Sequence, residues 1–147
     1  MTEMEDAASR LRLALRRVIR RADAVSGKDA PTRSELDAMV RLEEARALTP
    51  GALAAATRVK PQTMGQTLAL LDRHGWIRRA PHPTDRRQVL ISLSTAGRRT
   101  LAKGRRLRQA WLAGELARLN PADRKTMVRA IAIFEQIARN GDAPSSL

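Results

Sequence analysis

The chain has 147 residues, among which cysteine and tyrosine are absent and phenylalanine occurs once. The absence of cysteine excludes disulfides, thiolate metal sites and a thiol redox switch within this chain. The two histidines, His74 and His82, do not have the spacing of a metal-binding cluster. The sequence also contains no nucleophile–base pair and no glycine-rich phosphate loop. We therefore expect no enzyme activity, no metal and no cofactor.

Long hydrophobic runs are missing as well. No apolar stretch approaches the ~20 residues needed to cross a bilayer. The N-terminus, MTEMEDAASR, is too acidic and polar for a secretory signal. We expect a cytoplasmic protein without membrane contact. Apolar residues make up 43% of the chain, which is enough for one domain with its own hydrophobic core over residues 1–147.

Positive charge is abundant, because 28 lysines and arginines stand against 15 aspartates and glutamates, a formal net charge of +13. Such an excess favours a polyanionic partner, most commonly nucleic acid. An arginine- and alanine-rich composition is also what a GC-rich genome produces. The positions of the charges must therefore decide between these interpretations.

Apolar residues recur every three to four positions in the first half of the chain, a spacing that predicts amphipathic helices. The first predicted helix covers residues 5–25, and a capping box, TRSE, opens the second at Thr32. Pro50 and Pro61 each stand at the first position of a further helix. A short helix followed after about three residues by a longer one, which ends at Gly75, is the helix-turn-helix plan.

The pattern changes after Gly75. Two short runs, WIRRA (76–80) and QVLISLS (88–94), are rich in β-branched and other apolar residues, and a proline-containing turn separates them. We expect a mainly helical fold with one two-stranded β wing. A long helix from about residue 96 and a last helix opened by Asn120-Pro121 follow, and residues 140–147 are predicted to form a flexible tail.

The longer helix of the pair has two distinct faces at 100° per residue. One side carries apolar residues and is predicted to pack inward, whereas the opposite side carries Gln62, Gln66, Ala69 and Arg73. Glutamine pairs bidentately with adenine, and arginine pairs with guanine or phosphate. Lys60 and Thr63 lie at the N-terminal end, where the helix dipole favours a phosphate. The alternative interpretation is an ordinary solvated face.

The hairpin adds evidence for nucleic-acid binding. Asp85, Arg86 and Arg87 follow its proline-bracketed tip. An arginine on a rigid loop can enter the electronegative minor groove, and a neighbouring carboxylate can orient it through a bidentate pair. Seven basic residues and only two acidic ones lie between Thr49 and Ser94. We therefore interpret the hairpin as a wing beside a DNA-reading helix.

The stretch from LTPGALAAATRVKPQTMGQTLALLDRHGWIRR through PHPTDRRQVLISLSTAGRRTL resembles MarR-type winged helix-turn-helix transcription regulators. The most specific part is P-x-D-R-R-x-V-L-I-S-L-S-x-x-G, residues 83–97. The resemblance implies a homodimer whose dimerisation helices are residues 5–25 and 96–139 and whose DNA-binding part is residues 32–94. It also implies a pseudo-palindromic operator in double-stranded DNA and a repressor that a small-molecule effector releases.

The resemblance also implies roles for single residues. The recognition helix would contact DNA through Lys60, Gln62, Thr63 and Gln66. In the wing, Arg87 would enter the minor groove, oriented by Asp85, and Arg86 would contact the backbone. Family members often have serine and arginine where this chain has Gly65 and Gln66, so the operator sequence is not implied. No effector pocket is assigned. Trp76 is interpreted as a packing anchor and Trp111 as a core or dimer-interface residue.

Two further alternatives remain open. The basic stretch from Arg98 to Arg108 contains no acid, and it either extends a phosphate-contacting surface, attracts an anionic effector, or is a solvated helix face. The whole chain could instead be a non-specific architectural or RNA-binding basic protein, or a winged-helix module that docks another protein. The architectural and RNA-binding readings share the charge, but they do not need an ordered recognition helix and wing.

Overall fold

The computed structural model describes residues 1–141, which form six helices and one two-stranded sheet. This confirms the predicted mainly helical fold with a small wing. In chain order the elements are α1 (Glu3–Ala24), α2 (Arg33–Ala45), α3 (Pro50–Thr57), α4 (Pro61–His74), β1 (Ile77–Pro81), β2 (Val89–Leu93), α5 (Thr95–Ala117) and α6 (Pro121–Gly141).

Threonine side chains begin the first three helices. Thr2, Thr32 and Thr49 each accept a hydrogen bond from the backbone N–H three residues later. The predicted capping box of α2 is present, because the Glu35 carboxylate also accepts from the Thr32 backbone N–H at 3.3 Å. Such caps satisfy amides that a helix leaves without partners, and each contributes about 1 kcal/mol.

The hydrophobic core lies between α2, α3, α4, the sheet and the first turns of α5. Its most completely buried large side chains are Met39, Leu42, Leu53, Leu68, Leu71, Ile91 and Leu101. Every one of these elements thus contributes to a single core. We call residues 32–94, which hold most of it, the reading head.

The two strands pair antiparallel, with Ile77 opposite Leu93 and Pro81 opposite Val89. The sequence pattern placed Pro81 in the turn, but it is the last residue of β1. Proline is tolerated at the end of an edge strand, where no ladder amide is required. On its other side, β2 exchanges two backbone hydrogen bonds with Leu48, which anchors Ile91 in the core.

The start of α5 lies directly against the end of α4, where the Ser94 side chain bridges the two segments. The Ser94 hydroxyl donates to the Gly75 carbonyl at 2.6 Å and accepts from the Gly97 amide at 3.0 Å. A Cβ at Gly97 would lie 2.1 Å from the Trp76 carbonyl oxygen. The serine and the glycine that end the wing motif therefore have a structural explanation, since they form this junction.

The terminal helices differ from the reading head in burial. Neither α1 nor α6 contains a buried residue. The chain divides into two compact units, Met1–Arg108 and Gln109–Leu147, and α5 runs from the first into the second. The flexible tail was predicted to begin at residue 140, but helix α6 continues to Gly141. The rest of the predicted tail, residues 142–147, lies outside the described residues. Within residues 1–141, no helix is long and apolar enough to span a membrane.

Candidate nucleic-acid interface

Helix α4 begins differently from the three helices before it. Lys60 occupies the cap position with an extended backbone, and Pro61 follows at the first helical position. No side chain caps this end, in contrast to the threonine caps of α1, α2 and α3. Free amides and the positive end of the helix dipole favour an anion there. The structure thus places Lys60 and Thr63 at an end that is chemically suited to a phosphate.

The two faces of α4 are as the sequence pattern predicts. Met64, Thr67, Leu68 and Leu71 are buried. The residues predicted to face DNA are all exposed, namely Gln62, Thr63, Gln66, Ala69 and Arg73. This exposed stripe carries hydrogen-bond donors and acceptors. It contains no acidic residue that would repel a negatively charged ligand.

Gly65 lies within this exposed face. No atom of a neighbouring residue lies within 4 Å of the position that a Cβ would occupy. Its backbone is helical and does not require a glycine. Internal packing therefore does not explain this residue.

The wing loop presents Arg86 and Arg87 at the end of the hairpin. The Arg87 side chain is 91% exposed. Asp85 contacts it through one long approach, Nε to Oδ1 at 3.4 Å, and not through the bidentate pair expected from the sequence. The better bond of the same carboxylate oxygen is to the Arg87 backbone amide, at 3.0 Å. Asp85 thus holds the loop backbone more than the guanidinium.

An ion pair that the sequence analysis missed joins the wing to the reading helix. Arg79 on β1 donates to one carboxylate oxygen of Asp72 on α4, with Nε at 2.9 Å and Nη2 at 2.7 Å. The two residues are seven apart across a helix end and a strand start, so no helical spacing reveals them. The pair links the orientation of the wing to that of α4, and it removes one arginine from the freely available charge.

Arg87 also borders the beginning of α3. Together with Gln88 and Val89 it lines a shallow concave surface whose other side is Thr49, Pro50 and Gly51. The predicted site residues therefore fall into two groups. Five of them are exposed residues of α4 and its N-terminal cap, and the other three lie in the wing loop. Within residues 1–141, no hydrogen bond or ion pair joins a residue of one group to a residue of the other.

The basic stretch on α5 is partly engaged within the chain. Arg98 donates to the Leu93 carbonyl at 2.9 Å, and Arg105 pairs with Glu43 on α2 at 2.7 Å. The hydrogen bond and the charge of Glu43 raise the pKa of the Arg105 guanidinium. Arg108 lies against Gly104, where a Cβ would stand 3.0 Å from its Nη1. Part of this stretch is therefore structural.

A cavity of about 200 Å³ lies between the α1–α2 loop, α2, the end of α4 and α5. Its charged lining consists of three cations and one acid, Lys28, Lys103, Arg108 and Asp29. Trp76 forms part of the apolar wall together with Leu36, Leu101 and Leu107. No periodic pattern in the sequence predicts this cavity, because its walls come from four separate segments.

Trp76 is the buried anchor that the sequence analysis expected. His74 stacks on its ring with the centroids 4.1 Å apart. The Nε2 atom of the same histidine lies 3.5 Å from the buried carboxylate of Glu35. The end of α4, the start of α2 and the cavity wall therefore meet at one place.

Comparison with known proteins gives a consistent result. Residues 31–88 match the model of the MarR family. An HTH-type transcriptional regulator of Mycobacterium tuberculosis is 43% identical over 117 residues, which are 80% of this chain and 82% of the relative. One of Mycobacterium leprae is 39% identical over 125 residues, 85% of this chain and 87% of the relative. These relatives are regulators and not enzymes, in agreement with the sequence analysis.

Solved structures show the same fold. A transcriptional regulator protein from Pseudomonas aeruginosa is 28% identical with a TM-score of 0.83, covering 95% of this chain and 99% of that chain. A mutant of MarR from E. coli complexed with operator DNA has a TM-score of 0.59 at 21% identity, covering 90% of this chain and 99% of that chain.

Proposed function

Because the chain belongs to the MarR family of DNA-binding transcriptional regulators, we propose that it is a cytoplasmic, dimeric repressor released from its operator by a small-molecule effector. The observation that carries the DNA-binding part of this proposal is the presence of two features in the reading head. One is a helix with an uncapped N-terminus and an acid-free exposed stripe. The other is a wing whose terminal arginine is 91% exposed.

In this proposal α4 lies in the major groove. Gln62 and Gln66 contact base edges, and Lys60 and Thr63 hold a phosphate at the helix N-terminus. Arg73, at the other end of the same stripe, contacts a base or a phosphate. These five side chains are exposed, and they lie along α4 from its N-terminal cap at Lys60 to its last turn at Arg73, so one groove can contact them together.

The wing acts on the neighbouring minor groove. Arg87 enters it, Arg86 contacts the sugar–phosphate backbone, and Asp85 fixes the loop from which both extend. Exposure of Arg87 and the hydrogen bond from its amide to Asp85 support this division of roles. The ion pair between Arg79 and Asp72 supports simultaneous binding, because it directly links the wing to α4.

A second copy of the chain is the partner that we propose for the terminal helices. Helix α1 exposes Leu11, Leu15, Val18 and Ile19, and helix α6 exposes Val128, Ile131, Ile133 and Ile137. Exposed apolar surface of this kind is characteristic of a protein–protein interface. A two-fold dimer presents two recognition helices, and this accounts for a pseudo-palindromic operator with half-sites about 10 bp apart.

The test is a gel-shift titration of the full chain on duplexes from the region upstream of its own gene. We expect one pseudo-palindrome to bind about 10³-fold or more tightly than random duplex at the same salt concentration. Equal affinity for both would replace the proposal by a non-specific architectural protein, and preference for RNA would replace it by an RNA-binding one. Light scattering at micromolar concentration should give the mass of a dimer.

Single substitutions separate the two contact groups. Gln66→Ala should relax the preference at one base pair by about 1–3 kcal/mol, whereas Arg87→Ala should weaken binding most on sites with A·T-rich flanks. Arg41→Ala is the matched control, because this exposed arginine of α2 pairs with Glu44 outside the proposed interface. If Gln66→Ala and Arg87→Ala weakened every sequence equally, the assignment of the two grooves would be wrong.

For the effector, we propose the cavity beside Trp76. Its three cations against one acid favour a small organic anion with an apolar body. Benzoate can serve as a probe in a Trp111→Phe background, where Trp76 is the remaining fluorophore. We expect saturable quenching that Arg108→Ala weakens. Quenching that is linear in benzoate, or unaffected by Arg108→Ala, would exclude this cavity.

A further inference from the structure

The tip of the wing is closed by a histidine. His82 lies directly after β1, and although it is at the far end of the hairpin it is half-buried. Its ring atom Nδ1 accepts hydrogen bonds from two backbone amides, that of Thr84 at 3.2 Å and that of Asp85 at 3.0 Å. One side-chain acceptor thus fixes two consecutive peptide groups immediately before the arginines.

The second half of the loop depends on Asp85. Its carboxylate accepts from the Arg87 amide at 3.0 Å and from Gln88 Nε2 at 3.2 Å. The backbone closes the loop as well, since the His82 amide donates to the Gln88 carbonyl at 3.2 Å and the Gln88 amide donates to the Asp85 carbonyl at 3.1 Å. His82 therefore orders the residues just before Arg86, and Asp85 orders those just after it.

Two prolines restrict the backbone around this histidine. Pro81 and Pro83 flank it, which fixes two φ angles and removes two amide donors. The amides of Thr84 and Asp85 are the next two donors after that of His82, and both donate to its ring. A loop held in this way loses less conformational entropy when its arginines bind, which increases affinity without a new contact.

We propose that His82 is a positioning residue for the wing, whose ring nitrogen orders the loop that presents Arg86 and Arg87 to DNA. The proposal rests on the DNA-binding function proposed above. It assigns His82 no contact with DNA. It requires only that Nδ1 carry a free lone pair, because a protonated Nδ1 is a donor and cannot accept from either amide.

The test compares two substitutions that differ in one acceptor. In His82→Asn, Oδ1 is attached to Cγ as Nδ1 is in histidine, and asparagine accepts from the amide two residues on in the same way. His82→Ala removes the acceptor. In the free protein, amide hydrogen exchange at Thr84 and Asp85 should be about threefold to tenfold faster in His82→Ala than in wild type, and close to wild type in His82→Asn.

Binding to the upstream pseudo-palindrome should follow the same order. We expect His82→Ala to weaken it about threefold to tenfold, and His82→Asn to restore it to within about twofold of wild type. Equal losses in both variants would overturn the proposal, because the ring itself would then make the contact, and so would an unaffected His82→Ala. The exchange measurement needs no DNA. If wild type showed no operator preference, the proposed function would fail while the role of His82 in the loop was still measured.

Discussion

The reading head and the terminal helices are built from similar amphipathic helices, yet they bury very different fractions of their apolar side chains. In α4, Leu68 is 2% exposed and Leu71 0%. In α1, Leu11 is 36% exposed and Leu15 41%, and in α6 Ile137 is 58% exposed. The helical periodicity is the same in both regions, so the difference is in what lies opposite each apolar stripe.

This contrast distinguishes helices whose apolar faces are covered within one chain from helices whose apolar faces stay exposed. The reading head has partners for its apolar stripes within the chain, namely three helices and a sheet around one core. The stripes of α1 and α6 have no such cover within the described residues. Folding of the reading head and the proposed dimerisation through the terminal helices should therefore respond differently to the same kind of substitution.

The largest expected effect compares one substitution in the two regions. Leu71→Ala should lower the free energy of unfolding by about 2–5 kcal/mol, because it leaves a cavity in a closed core. Leu15→Ala should instead raise the dissociation constant of the dimer, and its effect on thermal unfolding should depend on protein concentration. Denaturant titration and sedimentation equilibrium measure the two quantities. An equal loss of stability in a monomeric Leu15→Ala chain would contradict the comparison.

A second prediction concerns the place where α5 leaves the reading head. Gly97→Ala should destabilise the chain by about 1–3 kcal/mol, since its Cβ would overlap the Trp76 carbonyl and the helix would have to shift. Gly65→Ala is the matched control. This glycine is also helical but has open space around it, so alanine should stabilise by up to about 1 kcal/mol.

The same pair of variants is informative on DNA. If Gly65→Ala is more stable but binds the operator less tightly, the glycine serves close approach to the duplex. Chemical denaturation and gel shift on the same preparations give both values. A neutral Gly97→Ala would show that the junction of α5 with the end of α4 is not tightly packed.

The smallest expected effect is that of the ion pair between α2 and α5. Glu43→Gln should cost at most about 1 kcal/mol because both side chains are largely exposed. Glu44→Gln, which removes a pair within α2, should cost less still. Because Glu43 raises the pKa of Arg105, the contribution is present below that pKa and is lost only as the pH rises past it. The difference in denaturation midpoint between wild type and Glu43→Gln should therefore be constant between pH 6 and 9, and salt should reduce it.

The sequence predicted most of the local structure, and particular residues show why. Threonine caps, prolines at first helical positions and Gly75 at a left-handed helix end act within a few residues, so their effect is visible in the sequence. The buried and exposed faces of α4 follow in the same way from helical periodicity. The wing was visible because its β-branched run interrupts that periodicity.

Contacts between distant segments were not predictable in this way. The Asp72–Arg79 pair, the Glu43–Arg105 pair and the cavity beside Trp76 join groups whose spacing carries no period. The bidentate Asp85–Arg87 pair was expected from residue type alone. In the structure the carboxylate instead accepts a hydrogen bond from the Arg87 backbone amide, because the short loop brings it closer to that amide than to the guanidinium.

The amino-acid order by itself therefore determined where helices begin and end, which of their faces are apolar, and that the wing carries two adjacent arginines, because these properties depend on neighbours within one or two turns. The tertiary structure decided which apolar faces are covered, which cations are already paired, and why residue 97 must be glycine. Those outcomes depend on the distance between atoms that are far apart along the chain, and only the packed core sets that distance.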